Sequence, residues 1–156
     1  MLSAYQPVYI NTHFNHPKEC TLEAFAACRL LAEAGCVMRN QMVLLKGLND
    51  DPETVLRLNH LLLLMRVAPY YIYQCDLAEG VGHFRTKVEA GLRILKHLWG
   101  RTSGMAIPHF VIDAPGGGGK IPILPRFWRQ EADNRIRLKN FQNRIFYYVE
   151  PRISDR

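Results

Sequence analysis

Three times in the first hundred residues, a short β-rich run ends in polar side chains and then gives way to a segment with helical spacing. Residues 8–10, 41–45 and 69–73 are the strand-length runs. After the first, Thr21 is placed to cap a helix whose face carries Ala24, Ala27, Cys28, Leu31 and Ala32, with Gly35 as the stop. After the second, Asp51 caps a helix that has Pro52 at its first position and an apolar stripe of Val55, Leu58, Leu62 and Met65. After the third, Thr86 and Glu89 have capping-box spacing ahead of a helix whose inner face is Val88, Leu92, Leu95 and Trp99. A fourth strand spans residues 107–112. The runs 136–139 and 145–149 flank Gln142-Asn143 as a hairpin. Strand–helix alternation predicts an α/β fold with parallel strands and right-handed crossovers. In such folds the polar residues at the carboxyl ends of strands converge on one edge. Those residues are Asn11, Thr12, His13, Gln74, Asp76 and Asp113. Any one of them alone is equally a helix cap or turn former.

The fourth strand runs into Asp113-Ala114-Pro115-Gly116-Gly117-Gly118-Gly119-Lys120. The glycines permit positive φ and close approach of the backbone to a ligand. A lysine can condense with an aldehyde, so an aldehyde cofactor on Lys120 is one possibility and a flexible surface turn is the other. The stretch is not a phosphate-binding P-loop, because Ala114 and Ile121 stand where that motif needs Gly and Ser or Thr.

The chain has 156 residues, 48% of them hydrophobic, and a formal net charge of +6, which describes a globular domain. It holds no apolar run near the ~20 residues of a membrane span and no signal-peptide core, so the expected location is cytoplasmic. Basic residues gather late, from Arg126 to Arg156, among Phe127, Trp128, Phe141, Phe146, Tyr147 and Tyr148. That mixture suits either RNA or the charged outer face of an antiparallel hairpin, and the hairpin is the favoured alternative. Cys20, Cys28, Cys36 and Cys75 have no C-x-x-C spacing, and Cys28 falls on an apolar helix face. No metal ligands are assigned.

Five ordered motifs carry a resemblance: residues 10–17, Asn40-Gln41 with residues 43–50, residues 69–76, residues 83–86, and Asp113 through Lys120. Together they resemble lysine 2,3-aminomutase, a radical S-adenosylmethionine (SAM) isomerase that also uses pyridoxal phosphate and a [4Fe-4S] cluster. The resemblance covers nearly the whole chain and implies a partial βα (TIM-like) barrel with parallel strands, plus a C-terminal strand and β-hairpin. Residues 1–156 would form a single domain, the carboxy-terminal half of that barrel. The resemblance implies that Lys120 holds pyridoxal phosphate, in the setting of Gly116, Gly117, Gly118 and Gly119. It gives Asp76 and Asp113 to the side-chain ammonium of substrate lysine, a pair that the glutamate-specific relatives lack. Two anions for one buried cation is sound chemistry. It gives His13 and Gln41 to the SAM pocket and Tyr73 to the wall of the pyridoxal phosphate cavity.

The family's iron–sulfur motif, C-x-x-x-C-x-x-C, lies upstream of the matched segment, as do its arginines for the cofactor phosphate and substrate carboxylate; this chain contains neither. The implied function is therefore the cofactor- and lysine-binding half of an aminomutase, inactive alone. The alternatives are a non-catalytic half-barrel with a binding or assembly role and, less favoured, a basic RNA-binding domain. A sheet cut through its middle would expose an apolar edge and a large apolar face. The expected partners are thus L-lysine or a similar amine and either a second copy or the complementary N-terminal half, with no membrane.

Overall fold

A computed structural model of the chain describes residues 2–131 and 134–151. The chain divides into two compact units, residues 1–124 and residues 125–156.

The first unit runs β1 (Tyr9–Thr12), α1 (Leu22–Glu33), β2 (Val37–Leu44), α2 (Pro52–Leu64), β3 (Val67–Gln74), α3 (Val88–Leu98), β4 (His109–Ala114) and β5 (Gly119–Pro122). These form one sheet in the order β1-β2-β3-β4-β5. The pairs from β1 to β4 are parallel, and β5 returns antiparallel against β4. The predicted alternation of strand and helix is therefore present, with β2 beginning four residues ahead of the expected start.

The caps explain the helix starts. The Thr21 side chain accepts the Ala24 amide, and the Asp51 carboxylate accepts those of Glu53 and Thr54. The third helix departs from the prediction. Its N-cap is Lys87 and no side chain caps it. Thr86 is instead engaged by Gln74, whose Nε2 donates to the Thr86 carbonyl and hydroxyl oxygens. The inner face of α3 is Ala90, Gly91, Ile94, Leu95 and Leu98, while Trp99 stays exposed. Gly91 accounts for the rotation: a Cβ there would land within the Phe110 ring, so the helix lies directly on β4. In α1 only Cys28 is fully buried, and Ala27 faces outward.

Side chains alternate across the strands, so one face of the sheet makes the core and the other does not. Met38, Met42, Leu44, Val67, Ile72 and Phe110 meet Val55, Leu58, Leu62, Ile94, Leu95 and Leu98 from the helices. Fully burying each such side chain contributes roughly 1.5–3 kcal/mol. The opposite face bears Arg39, Gln41, Tyr71, Tyr73, His109 and Asp113, none of them buried. Tyrosines and polar groups thus share that face with Val111, which is buried beside Tyr73.

Three asparagines brace the loops at the strand ends. Asn40 is buried; it accepts from the Thr12 hydroxyl and the Phe14 amide and donates to the Phe14 carbonyl. Asn49, fully buried, accepts the Leu45 amide and donates to the Asn15 and Val43 carbonyls. Asn15 in turn accepts the Val43 amide. Backbone groups that would otherwise be buried unpaired are satisfied this way.

The second unit is a three-stranded antiparallel sheet, β6 (Trp128–Gln130), β7 (Arg135–Lys139) and β8 (Ile145–Val149). The predicted hairpin is present, with Asn143 at φ 62 in its turn and the Asn140 side chain accepting the Gln142 and Arg144 amides. Strand β6 was not foreseen. Alternation puts Arg129, Arg135, Arg137 and Lys139 on one face and Trp128, Ile136, Leu138, Phe146 and Tyr148 on the other.

Candidate active site

The Gly-rich stretch is a tight hairpin rather than a long loop. Gly116 and Gly117 take φ of 69 and 81, which reverses the chain after Pro115. Gly118 has an ordinary φ of −67, but a Cβ there would sit 2.8 Å from that of Ala114. Asp113 therefore lies inside β4 and Lys120 inside β5, directly across from each other.

That register decides the local chemistry. Lys120 Nζ donates to Asp113 Oδ1 at 2.6 Å and stands 4.1 Å from the centre of the Tyr73 ring. The Tyr71 ring is beside Tyr73, with centroids 5.5 Å apart. Partial removal from water favours the neutral amine, but the hydrogen bonds to Asp113 and Tyr73 outweigh it, and the Lys120 pKa lies above the ordinary lysine value. The ammonium and carboxylate are 34% and 45% exposed, so the pair contributes little to stability.

Asp76 and Asp113 line one cavity of about 570 Å3 at the carboxyl ends of β3 and β4, beside the N-terminus of α3. Gln74, Arg85, Thr86 and Ile112 line it too. Lys120 and Tyr73 are not part of its lining; Asp113 is common to the cavity and to the pair with Lys120. Gln74 was read from the sequence only as one polar residue at a strand end. Its Nε2 is fixed on Thr86, while its buried Oε1 has no partner among the described residues. An unpaired acceptor beside two carboxylates suits a donor-rich, cationic ligand.

The other sequence-derived candidates are more scattered. Gln41 is half-buried on β2, in register with Tyr71 on the uncovered face. His13 follows the end of β1 and is exposed, with β2 and β3 between its strand and β4. Gly119 opens β5 with φ 77. The structure thus brings together Lys120, Asp113, Tyr73 and, through the cavity, Asp76.

An amine, an aromatic wall and open backbone at Gly116 and Gly117 fit the aldehyde end of pyridoxal phosphate. An iron–sulfur cluster does not fit: among the described residues no group of three His, Cys, Asp or Glu side chains could hold a metal ion, and the cysteines are free thiols. No described helix is long and apolar enough to cross a membrane.

Comparison with known proteins finds this chain similar to one part of the lysine 2,3-aminomutases. Residues 95–154 match the family Lysine-2,3-aminomutase. The chain is 53% identical over 151 residues to the L-lysine 2,3-aminomutase of Fusobacterium nucleatum, which is 97% of this chain and 36% of that protein. The Bacillus subtilis L-lysine 2,3-aminomutase is 49% identical, with 97% of this chain and 32% of the relative covered. The glutamate 2,3-aminomutase of Clostridioides difficile is 48% identical, with 93% and 34% covered. The chain therefore matches the carboxy-terminal part of the lysine 2,3-aminomutases and spans about a third of their length. Lysine and glutamate enzymes among these relatives stand at similar identity to the chain.

Proposed function

We propose that this chain is the pyridoxal phosphate- and lysine-binding part of a lysine 2,3-aminomutase-like radical SAM isomerase, which converts L-lysine to β-lysine by moving the amino group from C2 to C3. One observation carries this: Lys120, Tyr73 and the carboxylates of Asp76 and Asp113 gather at the same strand ends. Pyridoxal phosphate, when bound, supplies the carbonyl carbon that carries the migrating nitrogen. Lys120 offers the amine that anchors it, and Tyr73 offers a flat wall beside that amine. Asp76 and Asp113 hold the far ammonium of lysine, with Gln74 Oε1 as a third acceptor. Glutamate, which has a carboxylate at that end, would meet repulsion. His13 and Gln41 serve the SAM side. The cluster ligands belong to a complementary N-terminal part, and this chain alone makes no β-lysine.

The test is peptide mapping after incubation with pyridoxal phosphate and borohydride reduction. Label should concentrate on the peptide holding Lys120 and vanish from it in Lys120→Ala. Label spread evenly over surface lysines, unchanged in the variant, would reduce the hairpin to a simple turn. Production of β-lysine by these 156 residues with SAM and reductant would refute the split of function between two parts.

A further inference from the structure

Taking Asp76 and Asp113 as the ammonium site proposed above, we propose that Lys120 is a built-in competitor for it. The Lys120 ammonium occupies Asp113 in the free chain, and an external ammonium binds tightly only when Lys120 releases that carboxylate. From Cα outward the side chain of Lys120 is the same group as that of free lysine, so a carboxylate that suits one suits the other.

The fold builds the contact from three strands. The register of the β4–β5 hairpin sets Lys120 directly across from Asp113, and Nζ donates to Oδ1 at 2.6 Å. From β3, Tyr73 and Tyr71 present their rings to the same ammonium, with centres 4.1 and 5.5 Å from Nζ. Such rings attract a cation through their negative faces. Partial loss of water favours the neutral amine, but the hydrogen bonds to Asp113 and Tyr73 keep it protonated at neutral pH. Lys120 is thus charged and seated without any ligand.

The charges around the cavity show the consequence. Three carboxylates line it, Asp76, Glu89 and Asp113, against two cations, Arg85 and Lys87. The one negative charge in excess is the one that Lys120 neutralises from outside the cavity. With Asp113 paired, the lining is neutral overall; with Asp113 released, it carries one negative charge. A second ammonium on the same carboxylate would also be repelled by Lys120. Binding at the two places is therefore linked. Whatever draws the Lys120 amine off Asp113 strengthens an external ammonium by the same factor that the ammonium returns. Condensation with an aldehyde does this. The ammonium gives a proton to solvent, the amine loses its two hydrogens with the aldehyde oxygen as water, and a C=N bond takes their place. A cofactor anchored on Lys120 thereby opens Asp113, so the cofactor precedes lysine.

Binding of L-lysine to the cofactor-free 156-residue chain tests this, followed by NMR with isotope-labelled lysine side chains in the protein. Lys120→Met should bind lysine about fivefold more tightly than the wild type, and Lys120→Arg, which keeps a cation, should stay near the wild type. In the wild type, saturation with lysine should lower the Lys120 pKa by the same factor. One affinity shared by the wild type and Lys120→Met, and weakened by Asp76→Asn, would leave the ammonium site standing and overturn the competition. A Lys120 pKa unmoved by lysine would overturn it too. No binding in any of these proteins would remove the ammonium site itself, and with it the function proposed above.

Discussion

At the scale of single residues, the contact between Lys120 and Asp113 sets how the amine behaves. A neutral amine is needed to attack an aldehyde, and the shift of the Lys120 pKa above its ordinary value keeps it charged to higher pH. Replacing Asp113 by Asn removes the anion and the charged hydrogen bond, which lowers that pKa. Trapping of pyridoxal phosphate by borohydride at pH 8 should then be several-fold faster in Asp113→Asn than in the wild type. Its pH profile should move to lower pH, because each unit of pKa changes the neutral fraction about tenfold. An unmoved profile would mean that Asp113 does not govern the amine. The same substitution should weaken the grip on lysine, which separates the two roles of this carboxylate.

At the scale of elements, the cap of α2 gives a prediction with a definite sign. The hydrogen bond with the Thr54 side chain, then the amides of Thr54 and Glu53, hold the Asp51 carboxyl below its ordinary pKa against a smaller opposing effect of burial. A depressed folded pKa contributes stability above the unfolded value and loses it as pH falls through the folded value. Asp51→Ala should cost about 1 kcal/mol at pH 7. The gap from wild type should narrow as pH falls below the ordinary carboxylate range when urea midpoints are compared across pH. This cap was legible because Asp-Pro before an apolar stripe has a local cause. The inner face of α3 was not, since Gly91 adds nothing to a hydrophobic pattern yet is the point where Phe110 enters. Strand β5 was hidden for a related reason: four glycines read as loop, and nothing nearby shows that Lys120 lies across a ladder from Asp113. Thr86 looked like a cap because its distant partner, Gln74, is set only by the fold. The candidate site residues come from the resemblance, whereas the pairing of Lys120 with Asp113 follows from the register of the β4–β5 hairpin.

At the scale of the whole molecule, the first unit is held by pairs far apart in sequence, such as Tyr9 with Val37, Met38 with Val67 and Tyr71 with His109. The pairing of Asp113 with Lys120 closes a far shorter loop. In kinetic terms these belong to different eras of folding. A hairpin closes in roughly 1–10 μs, whereas parallel pairing waits on the loss of much more chain freedom. Lys120 therefore meets Asp113 before there is a sheet to hold them, and part of their attraction survives in the denatured ensemble. Asp113→Asn should accordingly shift the free energy of unfolding by less than about 1 kcal/mol in urea titrations, despite the short contact seen in the folded state. A larger loss would show that the pair forms only with the sheet. The hairpin that presents the amine is thus a prefabricated part, finished early and then mounted at the strand ends where its lysine meets Tyr73.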